Sequence, residues 1–232
     1  MARFQLLGRQ TPAHPVVTQL PLPHDPRGVE SSRGVVAACR AVEIAAGLSV
    51  QPRIGVISAL RGEGRTSVAV GIARVQARDH GRRTLLLELD LLRPTVAQRL
   101  KVAPSPGLIH LLDGSAELET CLRRIGDLDV MTAGDHADGL PRILGAAESR
   151  LEHVLSGYDV VVIDLPPLSE MAAGAFDSEL FSSLLLVIRA GSTPLPVVHQ
   201  AIKALPSPPS VVLNGVQSAI PRWLRKLVGD WE

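Results

Sequence analysis

Aromatic residues, cysteines and long apolar runs are all scarce in this 232-residue chain. Aromatic side chains make up 3% of it, with one tyrosine and two tryptophans, so nothing indicates a base-stacking surface for nucleic acid. Cys39 and Cys121 stand far apart, which excludes a disulfide framework and a cysteine-rich zinc site and fits a reducing compartment. No apolar run reaches the ~18 residues of a membrane span, and no signal pattern begins at Met1. We therefore expect a cytoplasmic protein, attached at most to a membrane surface.

Charge of one sign is not in excess either. The chain has 24 Lys and Arg against 23 Asp and Glu, for a formal net charge of +1. This balance gives no electrostatic reason to expect nucleic acid as a partner. The length predicts one main domain with a substantial core.

What the sequence does contain is a phosphate-binding loop with one unusual residue. The common pattern is Gly or Ala, four residues, then Gly-Lys-Ser/Thr. Residues 59–67 read Ala-Leu-Arg-Gly-Glu-Gly-Arg-Thr-Ser. Ala59, Gly64 and Thr66 fit the pattern, and Arg65 stands where the lysine is expected. The loop predicts a nucleoside triphosphate site, and the arginine raises the question of turnover.

The surroundings of the loop support this interpretation. An apolar run at 53–58 predicts a strand before it, and residues 67–77 predict a helix after it, which is the order that such a site needs. Gly62 and Gly64 let backbone N–H groups point at phosphate oxygens beside the positive helix N-terminus. The alternative is a glycine turn that merely joins strand to helix. The residues expected to bind Mg-ATP here are Gly62, Glu63, Gly64, Arg65, Thr66 and Ser67.

Apolar runs alternate with helical patterns along the rest of the chain. We predict strands at 84–89, 128–132, 159–163, 183–188 and 210–213, and helices at 30–48, 142–155 and 196–205. This alternation predicts an α/β P-loop NTPase fold, a mostly parallel sheet with helices on both faces. The predicted organisation is a proline-rich mobile arm at 1–28, a P-loop ATPase-like domain at 29–220 and an amphipathic tail at 221–232.

Carboxylates follow two of the predicted strands. Asp164 ends an apolar strand, where the acidic magnesium partner of such folds lies, although a turn or capping aspartate is the alternative. Glu88 and Asp90 are two residues apart, so on a strand they share a face and repel each other unless a cation or proton intervenes. In the alternative, Asp90 lies beyond the strand in solvent and Glu88 pairs with an arginine. We expect Thr66, Asp90 and Asp164 around magnesium.

Together these motifs resemble the cytoplasmic ATPase domain of the bacterial tyrosine kinases of capsule and exopolysaccharide export, which are related to the Min and Par positioning ATPases. The resemblance covers about residues 53–216 and rests on Gly62–Gly64, Arg93–Pro94, Pro106–Leu108, Leu111–Gly114, Leu128–Met131, Tyr158–Pro167, Val187–Gly191 and Val211–Val216. It implies ATP and Mg²⁺ as cofactors, Asn214 near the adenine, and self-association into a homo-oligomer. It also implies a membrane polysaccharide co-polymerase or chain-length protein as partner, and recruitment to the inner face of the membrane.

The departures from that family concern the catalytic residues. Arg65 replaces the loop lysine, Glu88 replaces the first aspartate of the second acidic motif, and Leu92 stands where an arginine is expected. Arginine keeps the charge but is a planar fork, and losing one transition-state contact costs on the order of 10²–10³ in rate. Glu88 moves its carboxylate by ~1.5 Å. If catalysis persists, the resemblance assigns it to Arg65, Glu88 and Asp90, with Glu88 as base.

Tyrosine is nearly absent where the family carries a tyrosine-rich tail. The one tyrosine, Tyr158, directly precedes a predicted strand, so we expect no tail autophosphorylation. In its place residues 222–232 predict a short helix with an apolar face and a basic face. Packing on its own domain, docking into a partner and contact with an anionic membrane surface are its three alternatives. The apolar face consists of Trp223, Leu224, Leu227, Val228 and Trp231.

These observations predict an ATP-binding regulator of polysaccharide biosynthesis and export, similar to a bacterial tyrosine kinase but with weak or absent kinase activity. One alternative is a pseudoenzyme scaffold that binds no nucleotide, with Arg65 folded into the empty phosphate nest. The other is a Min- or Par-like positioning ATPase. Those enzymes typically carry a lysine early in the loop, where this chain has Leu60, which counts against that alternative.

Overall fold

The computed structural model describes residues 18–21, 33–135, 148–171 and 180–216. Within them a single eight-stranded sheet has the strand order β1-β8-β7-β2-β6-β3-β5-β4. All neighbouring strands are parallel except β4, which runs antiparallel to β5 at one edge. The strands are β1 (Thr18–Pro21), β2 (Arg53–Ser58), β3 (Thr84–Glu88), β4 (Leu122–Ile125), β5 (Leu128–Met131), β6 (Val160–Asp164), β7 (Ser183–Arg189) and β8 (Ser210–Val216).

Helices cover the sheet between these strands. Their bounds are α1 (Arg33–Ala45), α2 (Arg65–Arg78), α3 (Val96–Leu100), α4 (Leu108–Asp113), α5 (Leu118–Cys121), α6 (Glu148–Ser156) and α7 (Leu195–Ala204). The predicted helices at 30–48, 67–77 and 196–205 correspond to α1, α2 and α7. The described part of the helix predicted at 142–155 is α6.

The apolar strands are buried because helices lie on both faces of the sheet. Side chains of β3 alternate between two separate hydrophobic clusters: Leu86 packs with α2 on one face, whereas Leu85 and Leu87 pack on the other. Every residue of β3 and β6 is buried, which explains their near-continuous apolar sequence. The fold is therefore the α/β P-loop type that the alternation predicts.

Two edge strands, β1 and β4, were missed by the sequence patterns. Thr18–Pro21 pairs in parallel with β8, although the segment 1–28 was expected to be a mobile arm, so that expectation is wrong for these four residues. A proline is tolerated here because β1 is an edge strand and Pro21 is its last residue. The rest of the arm and the amphipathic tail at 221–232 lie outside the described residues. In the described part of the chain, no helix is both long and apolar enough to cross a bilayer.

The strand order brings the predicted site residues together. Because β6 lies between β2 and β3, the loop after β2 is close to the carboxyl ends of β6 and β3. Asp164 is in register with Val56 of β2 and with Glu88 of β3. Ligands of open parallel sheets bind at these strand ends.

Candidate nucleotide-binding site

The loop at 59–66 has the backbone of a phosphate cradle. Gly62 and Gly64 have φ angles of 82° and 92°, a region that favours glycine, and Gly64 is the N-cap of α2. The first N–H groups of a helix have no partner within the helix, and its N-terminus carries partial positive charge. The cradle therefore fits an anion such as a phosphate group.

The side chain of Glu63 holds this loop in place rather than facing a ligand. It is 2% exposed, and its carboxylate accepts from the N–H of Leu60 at 2.6 Å, the N–H of Arg189 at 3.1 Å and the hydroxyl of Thr193. The loop is thereby tied to the end of β7. The predicted role of Glu63 in nucleotide binding is thus left to its backbone.

Asn214 contacts the same loop from the neighbouring strand β8. Its Nδ2 donates to the carbonyl of Glu63 at 2.8 Å. The resemblance predicts Asn214 near an adenine, and in the structure its amide contacts the loop backbone. The cradle is thus braced by two side chains, Glu63 within the loop and Asn214 of β8.

Arg65 reaches into the protein from the first position of α2. Its Nε donates to Oδ1 of Asp164 at 2.8 Å, and its Nη2 donates to Oδ2 of Asp90 at 2.8 Å. The three side chains are 7%, 0% and 1% exposed, respectively. The guanidinium thus bridges the two carboxylates that were expected to serve magnesium, and it does not fold into the phosphate cradle.

The remaining carboxylate oxygens of this cluster also accept hydrogen bonds. Thr66 donates its hydroxyl to Oδ2 of Asp164 at 2.8 Å, and the N–H of Arg93 donates to Oδ1 of Asp90 at 3.2 Å. Arg61 adds a second, longer contact to Oδ2 of Asp90 at 3.4 Å. We define the buried cluster as Arg65, Thr66, Asp90 and Asp164.

Comparison with known proteins identifies the context of this site. No protein-family model matches the sequence. The chain is 28% identical over 168 residues to the succinoglycan biosynthesis transport protein ExoP of Rhizobium meliloti, which covers 69% of this chain and 21% of that protein. It is 26% identical over 167 residues to the tyrosine-protein kinase YwqD of Bacillus subtilis, which covers 70% of each. The chain is thus similar to proteins named as bacterial tyrosine kinases.

Solved structures agree with this relationship. The kinase domain of VpsO superposes with a TM-score of 0.70 at 29% identity and covers 79% of this chain and 94% of that domain. The kinase domain of Escherichia coli ETK has a TM-score of 0.72 at 23% identity and covers 94% of this chain and 87% of that one. A ParA family ATPase from Chlorobium tepidum, at 15% identity and a TM-score of 0.54, shares the fold alone. The chain spans about a fifth of ExoP, so the activity of whole bacterial tyrosine kinases does not transfer directly.

Magnesium, which kinases of this fold imply, does not fit the buried cluster as it is arranged. Mg²⁺ requires oxygen ligands in octahedral geometry at ~2.0–2.1 Å. The guanidinium of Arg65 stands between Asp90 and Asp164 at hydrogen-bond distance from both, and their other oxygens have donors of their own. Among the residues with described positions, no group of three or more His, Cys, Asp and Glu could hold a metal. The predicted magnesium ligands Thr66, Asp90 and Asp164 do lie close together, but the guanidinium of Arg65 stands between the two aspartates.

Glu88 and Asp90 were predicted to project from one face of a strand, and that prediction is wrong, whereas the role of Glu88 as a base stays a prediction. Its Oε1 accepts from the N–H groups of Thr95 at 2.6 Å and Val96 at 2.8 Å, and Oε2 accepts from the N–H of Ala133 at 3.1 Å. Glu88 is fully buried and ties the end of β3 to the N-terminus of α3 and to the segment after β5. Because its three donors are backbone N–H groups of other segments, the carboxylate of Glu88 holds those segments together.

Asp90 lies beyond the end of β3, which ends at Glu88. The chain turns there, so the alternation of a strand no longer relates the two acids, and Asp90 is directed to Arg65. It is 1% exposed, so the alternative of a solvent-exposed aspartate is also wrong.

The pKa values of the two fully buried acids are raised. Burial raises the pKa of Glu88 above its usual value, although the N–H groups of Val96, Ala133 and Thr95 oppose the rise. Burial likewise raises the pKa of Asp164, against the charge of Arg65 and the hydrogen bond from Thr66. Desolvation thus outweighs the favourable partners in both, which makes the loss of a partner costly.

Basic residues at the rim of the loop were not anticipated from the sequence. Arg99 donates to Oγ of Ser67 at 2.6 Å, so the hydroxyl of this predicted nucleotide ligand already has a donor. The exposed side chain of Arg189 donates from Nη1 to the carbonyl of Gly62 at 3.3 Å. Arg61 forms an ion pair with Glu170. Arg61 lies within the loop motif and Arg189 within the segment Val187–Gly191 of the resemblance, but neither was predicted to contact the site, and Arg99 belongs to no quoted motif.

Proposed function

We propose that this chain is a kinase-like regulatory component of an exopolysaccharide export system, which binds a nucleoside di- or triphosphate and transfers no phosphoryl group. The names of ExoP and YwqD support the export system and the kinase-like ancestry. The cradle formed by Gly62, Gly64 and the start of α2 supports nucleotide binding.

The position of Arg65 is the main observation that supports the absence of phosphoryl transfer. Phosphoryl transfer depends on cations that neutralise charge on the β- and γ-phosphates and on a group that positions the nucleophile. Arg65 instead has two of its nitrogen atoms committed to Asp90 and Asp164. Glu88, the candidate base, is committed to three backbone N–H groups. Neither side chain is placed to act on a bound nucleotide.

Regulation then consists of a change in association on nucleotide binding. The partner we propose is a membrane-embedded polysaccharide co-polymerase or chain-length protein, with self-association into a homo-oligomer at the inner face of the membrane. A role without phosphorylation of its own tyrosines agrees with the presence of a single tyrosine in the chain.

The test is a calorimetric titration of the purified chain with ATP and with ADP, combined with transfer of labelled phosphate from ATP to water and to a tyrosine peptide. Arg65→Lys runs alongside, and Arg40→Lys, in an ion pair with Asp79 away from the loop, serves as the matched control. We expect micromolar binding without transfer by the natural chain and by the control. Transfer by the natural chain would contradict the proposal. Absence of binding, restored in Arg65→Lys, would favour the scaffold that binds no nucleotide.

A further inference from the structure

The buried cluster places two carboxylates where neither is reached by bulk water. Burying one ionised carboxylate costs several kcal/mol unless an opposite charge and hydrogen bonds compensate it, and two adjacent ones repel each other in addition. Asp90 and Asp164 can therefore both be ionised only if a cation between them compensates their charge.

Arg65 meets that requirement with the geometry of a bridge. Its Nε and Nη2 each donate to a different carboxylate at 2.8 Å. A guanidinium stays charged at any physiological pH and presents its donors in a fixed plane, so it can hold two acceptors at once. Its place in the first turn of α2, beside Thr66, fixes its distance from Asp164. A divalent ion could bind the same oxygens only after the side chain had left.

We propose that the guanidinium of Arg65 is the resident cation of this site in place of a divalent metal. The chain then binds no Mg²⁺ at Asp90 and Asp164, and it holds a nucleotide equally well without Mg²⁺. The second half of this inference rests on the proposed function, whereas the first half does not.

Positive charge at the rim makes metal-independent binding physically reasonable. Arg189 is exposed beside Gly62 and adds charge close to the cradle. Charge-assisted hydrogen bonds to phosphate are about twice as strong as neutral ones. The phosphates of a bound nucleotide would contact the N–H groups of the loop and the guanidinium of Arg189, with no metal between them.

The first experiment removes the cation from the protein without a nucleotide. In Arg65→Ala the two acids lose their partner, and we expect the melting temperature to fall by on the order of 10 °C. Added Mg²⁺ should recover much of that loss in Arg65→Ala and leave the natural chain unchanged. Arg40→Ala, which breaks an exposed ion pair, is the control and should not respond to Mg²⁺. An equal rise in the natural chain, or no rise in Arg65→Ala, would overturn the proposal.

A second measurement does not use Arg65→Ala and so protects the test if that variant does not fold. Mn²⁺ is titrated into the protein and followed by electron paramagnetic resonance. We expect no bound Mn²⁺ that depends on Asp90. Tight Mn²⁺ binding that is lost in Asp90→Asn would place a metal in the cluster and overturn the assignment.

The third measurement is the affinity for ADP in Mg²⁺ and in EDTA. We expect dissociation constants that agree within about twofold, and a loss of about tenfold or more in EDTA would overturn the second half of the inference. No binding in either buffer would overturn the proposed function and this second half with it. The melting and Mn²⁺ experiments would still decide the first half.

Discussion

Asn214 lies so close to Gly64 that a β-carbon added to this glycine would come within 2.0 Å of the amide nitrogen of Asn214. The same amide donates to the carbonyl of Glu63. The end of β8 therefore holds the conformation of the loop, and a larger residue at position 64 would displace the amide of Asn214. This contact joins two predicted site residues in a way that no sequence pattern specified.

The Gly64→Ala variant should lose more stability than a glycine substitution in open space. Both its φ of 92° and the displacement of Asn214 add cost, and we expect a loss of about 2–3 kcal/mol in the free energy of unfolding. Gly126→Ala is the control, since it has a φ of 60° but no atom within 4 Å of the added carbon. Chemical denaturation measures both. Equal losses in the two variants would contradict the role of the Asn214 contact.

Replacing Glu88 by glutamine should destabilise the protein by about 1–3 kcal/mol at neutral pH. The amide group of glutamine would place donors against the N–H groups that now meet an oxygen. Chemical denaturation measures the change. The exposed Glu119→Gln is the control and should change stability by no more than about 0.5 kcal/mol.

The pH dependence of this difference has a definite sign. Because burial raises the pKa of Glu88 in the folded state, the folded protein binds more protons than the unfolded chain between the ordinary pKa of 4.5 and the raised one. The stability of the natural chain relative to Glu88→Gln should therefore fall as pH rises through that window, then stay constant above it. A relative stability that rises over the same window would contradict a raised pKa.

Tyr158 should titrate with a pKa of about 12, raised by burial, by the charge of Asp129 and by the hydrogen bond to it, in which Tyr158 donates at 3.1 Å. Because it is the one tyrosine in the chain, absorbance near 295 nm after a rapid pH jump reports it alone. Asp129→Asn should lower the midpoint toward the ordinary value of 10.0. A midpoint near 10.0 in the natural chain would show that the hydroxyl is free in solution.

The course of the main chain followed from the sequence because it depends on patterns of residue type. The apolar runs gave the central strands, and the glycines of the loop marked the turn from β2 into α2. The edge strand β1 was missed because Pro21 and its neighbours suggest an irregular segment, whereas pairing with β8 alone makes them a strand.

The directions of charged side chains could not be predicted in the same way. The motif predicted that Arg65 places a positive charge next to phosphate, but an arginine is long enough to reach either the cradle or the acids behind it. Glu88 was assigned to the face of Asp90 by strand alternation, and β3 ends before that alternation applies. Both outcomes depend on where neighbouring strands end, which is a property of the folded sheet.

The central claim is that Arg65 occupies the cation position of the buried cluster even when a nucleotide is bound. A crystal structure of the chain grown with ADP and Mg²⁺ tests it most directly. We predict phosphate oxygens on the N–H groups of the loop, with Nε of Arg65 still within hydrogen-bond distance of Asp164. A magnesium ion between Asp90 and Asp164, with Arg65 turned toward the phosphates, would contradict the account.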